Sequence, residues 1–101
     1  MNKMQKYINA LENVMRYLRK EQDKINNGYE SIWTVDMLAS VHSEINELLN
    51  YAHRGEIFFK FGKKQRRLQA TYFLLDAYND SLSQTDLGQS ISELQKLYYH
   101  L

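Results

Sequence analysis

Four basic residues in the third quarter of the chain have spacings that place them on one face of an α-helix. The last three fall three, four and seven positions after the first, and phenylalanines lie beside them. The basic residues are Lys60, Lys63, Lys64 and Arg67, and the phenylalanines are Phe58, Phe59 and Phe61. Cationic side chains flanked by aromatic rings bind phosphates, single strands, anionic membranes or acidic proteins. A solvated helix face beside acidic neighbouring helices has the same composition.

The charge of the whole chain narrows the class of partner. The formal net charge is +1 and the isoelectric point is about 7.9, whereas duplex-DNA-binding modules typically have values above about 9. We therefore expect a protein partner at the basic face and at Phe58 and Phe59, and we expect no binding to duplex DNA. Contact with an anionic membrane surface is an alternative, and it would weaken with salt.

Tyrosine is the second residue type that favours recognition. The chain contains eight tyrosines, and tyrosine is enriched at protein interfaces. Adjacent helix positions cannot both face a core, so either Tyr98 or Tyr99 is expected to be exposed, and we expect Tyr17 to be exposed as well. We select Tyr17 and Tyr99 as partner-binding candidates. The alternative is a tyrosine-rich core whose hydroxyl groups reach the surface.

The titratable residues form no pattern typical of catalysis or metal binding. No histidine has a glutamate three positions before it, so the Glu-x-x-His spacing of di-metal helical bundles is absent. His42 is expected at the edge of the core. The carboxylate pairs Glu44–Glu47 and Asp76–Asp80 fit a solvated acidic face better than a catalytic pair.

Other catalytic chemistries lack their residues. The chain has no cysteine, which excludes thiol nucleophiles, thiolate metal sites and disulfides. It has no glycine-rich phosphate loop, and sequence spacing suggests no base and acid for a serine nucleophile. We therefore expect no enzyme, no cofactor and no metal.

Helices must position these candidate residues, because apolar residues recur three and four apart in four successive stretches. The stretches are Met4, Ile8, Leu11, Met15, Leu18 and Ile25; Leu38, Val41, Ile45, Leu48 and Ala52; Phe61, Leu68, Tyr72, Leu75 and Leu82; and Leu87, Ile91, Leu94, Tyr98 and Leu101. The pattern predicts an all-α single domain over residues 1–101, an antiparallel up-down four-helix bundle. The predicted helices span about residues 2–27, 34–54, 57–79 and 84–100. The sign of the charge alternates along the predicted helices, which places unlike charges side by side in that arrangement.

Several helix ends carry recognisable signals. Asn27 and Gly28 should end the first helix, and Thr34 should cap the second, with Trp33 packed on Leu38 as a hydrophobic staple. Gly55 marks the end of the second helix.

The later boundaries are read from weaker signals. Ser83 should begin the fourth helix with Asp86 completing a capping box, and Leu82 is placed to pack on Leu87. The third helix contains Gly62, and a break at that glycine is the main alternative to a continuous helix. Ile57 and the following phenylalanines have strand-like composition, but no other segment is expected to pair with them.

The amino-terminal residues lack the apolar core of a signal peptide, and no stretch has the roughly eighteen apolar residues of a membrane span. Together with the absence of cysteine, this predicts a cytoplasmic protein.

Two families of helical proteins have chains of about this length. Lactose-type phosphotransferase IIA subunits carry a phosphorylated histidine in a His-Ala-Gln-Asp-His-like run, which none of the three histidines here has. The chain is similar in size, helix count and lack of cysteine to the pediocin-like bacteriocin immunity proteins. That resemblance covers architecture only and transfers no residues, and it implies a bacterial protein that binds a partner inside the cell.

The sequence thus predicts a non-enzymatic helical protein that binds a protein partner, in an immunity-type or mobile-element modulator role. One alternative is a structural homodimer through the first helix, in which Gln22 at a core position of the apolar series would fix the register. The other alternative is a peripheral binder of anionic membrane.

Overall fold

A computed structural model describes residues 2–56, 60–61, 64–65, 68–71, 73 and 80–101. Helices α1 (Lys3–Asn26) and α2 (Val35–Ala52) are followed by two short strands, β1 (Lys60–Phe61) and β2 (Lys64–Gln65). A 3₁₀ helix (Gln69–Thr71), a single turn α3 (Asp80–Ser83) and helix α4 (Asp86–Tyr99) complete the described elements. The protein is therefore built on helices, as the apolar periodicity predicts.

Helix α1 begins and ends at local signals. The Asn2 side chain accepts a hydrogen bond from the Gln5 backbone N–H at 2.7 Å. The helix ends at Asn26, Gly28 has a φ of +81°, and the Tyr29 N–H donates to the Lys24 carbonyl at 2.9 Å. Glycine is the usual residue where the backbone turns left-handed just after a helix, so the end of α1 predicted at Asn27 and Gly28 is confirmed.

Helix α2 begins at the predicted cap, because the Thr34 hydroxyl accepts a hydrogen bond from the Met37 N–H at 3.1 Å. Trp33 and Leu38, the two residues of the predicted staple, are both buried. The helix ends at Ala52, three residues before Gly55.

The core lies where α1 packs against both α2 and α4. The centroids of the Tyr7 and Tyr98 rings are 6.2 Å apart, so the start of α1 lies beside the end of α4. Leu11 and Leu18 are fully buried in this core. Three residues of the apolar series of α1, Leu11, Met15 and Leu18, are thus covered by the same chain.

The predicted third helix is wrong at residues 60–61, 64–65 and 69–71, where the structure has two strands and a 3₁₀ helix, whereas residue 73 is helical. Strands β1 and β2 pair antiparallel, with Lys60 opposite Gln65 and Phe61 opposite Lys64. Gly62 lies between the two strands in sequence, so the predicted alternative of an interruption there is nearer to the structure. The described end of the segment with strand-like composition, Lys60–Phe61, therefore does have a pairing partner, Lys64–Gln65.

The 3₁₀ helix takes part of the place expected for the third helix, since it contacts both α2 and α4. Leu68 and Ala70 are buried there. The remaining residues of the predicted helix, apart from residue 73, lie outside the described residues, and Asp76 is among them.

The predicted start of the last helix at Ser83 is also wrong. Ser83 ends α3, and the Thr85 hydroxyl caps α4 by accepting a hydrogen bond from the Gly88 N–H at 3.0 Å. Leu82 and Leu87 are both buried, as expected. A Cβ atom on Gly88 would overlap the Leu82 carbonyl oxygen and lie 2.9 Å from the Ser83 Cα atom. The turn of α3 therefore packs so closely on α4 that only glycine fits at position 88.

Candidate functional site

The connection between α1 and α2 is held at one end by Trp33. Its ring is buried, with 1% of its surface exposed, and its indole Nε1–H donates to the Thr85 hydroxyl oxygen at 3.1 Å. The same hydroxyl caps α4 and donates to the Leu82 carbonyl at 2.6 Å. The loop is therefore tied to the first turn of α4.

Ser31 fixes the middle of the same loop. Its hydroxyl donates to Glu21 Oε2 at 2.6 Å and accepts a hydrogen bond from the Trp33 N–H at 3.1 Å. The other carboxylate oxygen of Glu21 pairs with Lys24 Nζ at 3.2 Å. The loop is thus bonded both to α1 and to itself.

Three large apolar side chains project from this fixed connection into solvent. Tyr29 is 70% exposed, Ile32 is 52% exposed and Val35 is 64% exposed. We call these three residues the hairpin tip. Single exposed apolar residues are ordinary in soluble proteins, but three within seven consecutive residues of one braced loop are typical of a binding surface.

A cleft adjoins the hairpin tip between the last turns of α1 and the first turn of α2. Its volume is about 500 Å³, and Val35 belongs both to the cleft wall and to the tip. Ile25, Leu38 and Ala39 give the cleft an apolar floor and wall, and Arg19 is at its polar rim. Pockets of roughly 300–1,000 Å³ with mostly apolar lining are typical ligand and side-chain sites.

Two acidic residues lie beside the three residues of the hairpin tip. Glu30 and Asp36 are exposed, and neither forms an ion pair with any other residue that the structure describes. Lys24 is already paired with Glu21. The apolar residues of the tip are therefore flanked by two uncompensated carboxylates.

The two described residues of the predicted basic face do not lie on a helix. Lys60 and Lys64 lie on the two paired strands, so the spacing argument fails because the backbone there is not helical. Their predicted companions lie outside the described residues, namely Phe58, Phe59, Lys63 and Arg67.

The two predicted tyrosines lie far apart. Tyr99 is 40% exposed and Tyr98 is fully buried, so the expectation that one of this pair faces solvent is confirmed. Tyr17 is half-buried against the core, where we expected exposure. Its ring lies between the Arg16 guanidinium and the Lys20 ammonium, at 5.3 and 5.2 Å from the ring centroid. Tyr17 lies beside the first turns of α4, and Tyr99 lies at the other end of that helix.

The predicted acidic pair on α2 has a different role. Glu44 is buried, and its two carboxylate oxygens accept hydrogen bonds from the Gln69 and Ala70 N–H groups at 2.6 and 2.9 Å. The prediction of a solvated face is wrong for Glu44 because the 3₁₀ helix covers it, while Glu47 is exposed. Glu44 therefore caps a neighbouring backbone turn.

Tyr7 is the one buried side chain in the described part of the chain whose polar atom has no hydrogen-bond partner. Burial raises the pKa of the Tyr7 hydroxyl above its ordinary value of 10, and the nearby Tyr98 and Glu44 add to the rise. Neither Tyr7 nor Glu44 is open to a substrate, because both are covered by the core.

The described residues contain no group of three or more histidine, aspartate or glutamate side chains that is placed to bind a metal ion. The three histidines are exposed, whereas His42 was expected at the edge of the core. Among the helices that the structure describes, none combines the length and hydrophobicity needed to cross a bilayer.

The apolar spacing predicts only a connection at residues 29–33, so it does not indicate the hairpin tip. A signal was present, since Tyr29, Ile32 and Val35 recur every third position outside the apolar series of the helices. Their exposure depends on the burial of Trp33 between them, which sequence spacing does not determine.

No protein-family model, curated protein or solved structure matches the chain.

Proposed function

We propose that this chain acts by binding a protein partner through the hairpin tip and the adjoining cleft, without catalysing a reaction. The observation that carries the proposal is the exposure of Tyr29, Ile32 and Val35 on a loop held by the Trp33 and Ser31 hydrogen bonds. A surface that is already ordered loses little conformational entropy on binding, so its apolar area contributes more of its burial energy to affinity.

An immunity-type or mobile-element modulator role in the bacterial cytoplasm is the form of this function that we favour. Such a role requires a small helical protein that recognises another protein. We associate this role with an up-down four-helix bundle. The packing of α1 against both α2 and α4 supports the neighbour relations of that arrangement.

The region around Lys60, Lys63, Lys64 and Arg67, with Phe58 and Phe59, is a second candidate contact. The basic composition of the β1–β2 strand pair and of the residues beside it in sequence supports this second contact. Tyr17 lies beside the first turns of α4 and Tyr99 at its other end. Asp86 and Tyr99 are thirteen positions apart, about 20 Å along the helix, so the two tyrosines do not form one surface.

Affinity capture with matched variants tests the proposal. The baits are the wild-type chain, the tip variant Tyr29→Ser/Ile32→Ser, and the control Tyr99→Ser, which removes an exposed ring far from the tip. We expect a partner held by the wild type and the control, and held at least about tenfold more weakly by the tip variant, as for central interface residues.

Circular dichroism first checks that all baits have the same helix content. Equal capture by the wild type and the tip variant would contradict the proposal. If capture were instead lost on changing the four basic residues to glutamate, the second candidate contact would replace the hairpin tip.

A further inference from the structure

The side chains at the hairpin tip set the sign of the local charge. The partial charges of the two helix ends that meet there, the end of α1 and the start of α2, are opposite and nearly cancel. The negative carbonyl end of α1 and the positive N–H end of α2 meet at this loop, each equivalent to about half an elementary charge. Glu21 and Lys24 neutralise one another at 3.2 Å. Glu30 and Asp36 then remain without any basic residue between positions 28 and 36.

The α2 wall of the cleft adds apolar area and no positive charge, because it consists of Val35, Leu38 and Ala39. On the α1 wall, Arg19 and Asp23 balance one another in charge. The cleft and the tip together therefore present apolar area with a net negative rim.

The shape of the cleft suits a helix laid between two helices. Its α1 wall runs from Arg19 to Asn26, which is about 10 Å or two turns of helix. Grooves of this kind accept the apolar face of an amphipathic helix through anchors three or four residues apart.

We propose that the partner segment recognised at the hairpin tip is a basic amphipathic helix. Its apolar anchors enter the cleft against Ile25, Val35 and Leu38, and its lysine or arginine side chains lie against Glu30 and Asp36. This inference rests on the proposed function, since it names the partner chemistry of the same surface.

Selection from a library of random 15-residue peptides tests the inference with a defined probe. The wild-type chain is the bait, and each selected peptide is then measured against three variants. Tyr29→Ser/Ile32→Ser removes apolar area, and Glu30→Gln/Asp36→Asn removes the two charges at nearly constant shape. Glu12→Gln/Glu47→Gln removes two exposed charges distant from the tip, so it matches the change in net charge.

We expect selected peptides to carry lysine or arginine beside aliphatic or aromatic residues three or four positions apart. Their affinity should fall by about threefold to thirtyfold for Glu30→Gln/Asp36→Asn, as for two exposed ion pairs. It should also fall as salt is raised, and it should be unchanged for Glu12→Gln/Glu47→Gln.

Peptides that require Tyr29 and Ile32 but show no basic enrichment, or no response to Glu30→Gln/Asp36→Asn, would overturn this inference and leave the proposed function standing. A dimer in sedimentation that the tip variant abolishes would also overturn it, because the occupant would be a second copy. Failure to select any tip-dependent peptide, together with equal partner capture by the tip variant, would overturn both.

Discussion

Each carboxylate oxygen of Glu44 accepts its own hydrogen bond from the backbone. Oε2 accepts from the Gln69 N–H and Oε1 from the Ala70 N–H, at 2.6 and 2.9 Å. Bonds from backbone amides to a charged acceptor are among the stronger ones in proteins, and a buried amide left unpaired is costly.

Glu44→Gln is therefore expected to destabilise the fold by about 1–3 kcal/mol, because one amide would face the NH₂ group of glutamine. Urea unfolding measures the change, and Glu47→Gln on the exposed side of α2 is the matched control. Equal midpoints for the two variants would show that Glu44 does not hold the 3₁₀ helix.

Tyr7 gives the molecule an alkaline sensitivity whose sign follows from its pKa. The folded state raises this pKa above the ordinary value of 10. Above about pH 10 the unfolded chain loses the proton while the folded chain retains it, so stability falls as the pH rises, by at most about 1.4 kcal/mol per pH unit. Below pH 10 the hydroxyl is protonated in both states and this contribution is constant.

Tyr7→Phe should remove that part of the alkaline loss of stability. At neutral pH the variant should be as stable as the wild type or slightly more stable, because an unpaired buried hydroxyl is lost. Denaturant unfolding at pH 8 and pH 11 measures both effects. The same slope with pH in both proteins would mean that Tyr7 ionises normally in the folded state.

At the scale of elements, α3 and α4 are joined by a contact between backbones. A Cβ atom at position 88 would overlap the Leu82 carbonyl oxygen. Glycine inside a helix usually costs about 1 kcal/mol relative to alanine, so replacing it normally stabilises a protein.

Gly88→Ala should show the opposite sign and destabilise the protein by roughly 1–3 kcal/mol, since α3 must move away from α4. Thermal unfolding followed by circular dichroism measures the effect. A rise in melting temperature would show that α3 does not pack on α4 in solution.

The elements that sequence predicts well are those specified by local signals. The ends of α1 and the start of α2 are encoded in Asn2, Gly28 and Thr34, whose partners lie within a few residues. The start of α4 was misplaced because Ser83, Thr85 and Asp86 all suit a cap. The packing of α3 on Gly88 and the hydrogen bond from Trp33 to the Thr85 hydroxyl favour Thr85.

The third predicted helix failed at residues 60–61, 64–65 and 69–71 for a different reason. The segment from Leu68 onward is apolar around most of a helix circumference, so its pattern has no face that fixes an orientation. The β1–β2 pair is two residues long, too short for an alternating pattern to be read. The hairpin tip was missed because its exposure is set by Trp33 reaching Thr85, a contact 52 positions away.

At the scale of the whole molecule, the chain is one compact globule with α1 packed between α2 and α4. Its radius of gyration is 13.7 Å, close to the roughly 13 Å typical of a folded chain of this length. The apolar residues Leu11, Val14 and Leu18 of α1 are buried in this core, whereas Ile25 lines the cleft beside the hairpin tip.

The Thr85 hydroxyl joins the loop after α1 to the first turn of α4 through Trp33 and Gly88. Opening of either part breaks the Trp33–Thr85 hydrogen bond that they share, so we expect the two parts to open together. The exchange rate of the Gly88 amide with deuterated water then reports on the order of the hairpin tip. A partner bound at Tyr29 and Ile32 would then slow hydrogen exchange at the Gly88 amide on α4. The cause would be the shared opening equilibrium alone, with no contact between the partner and α4.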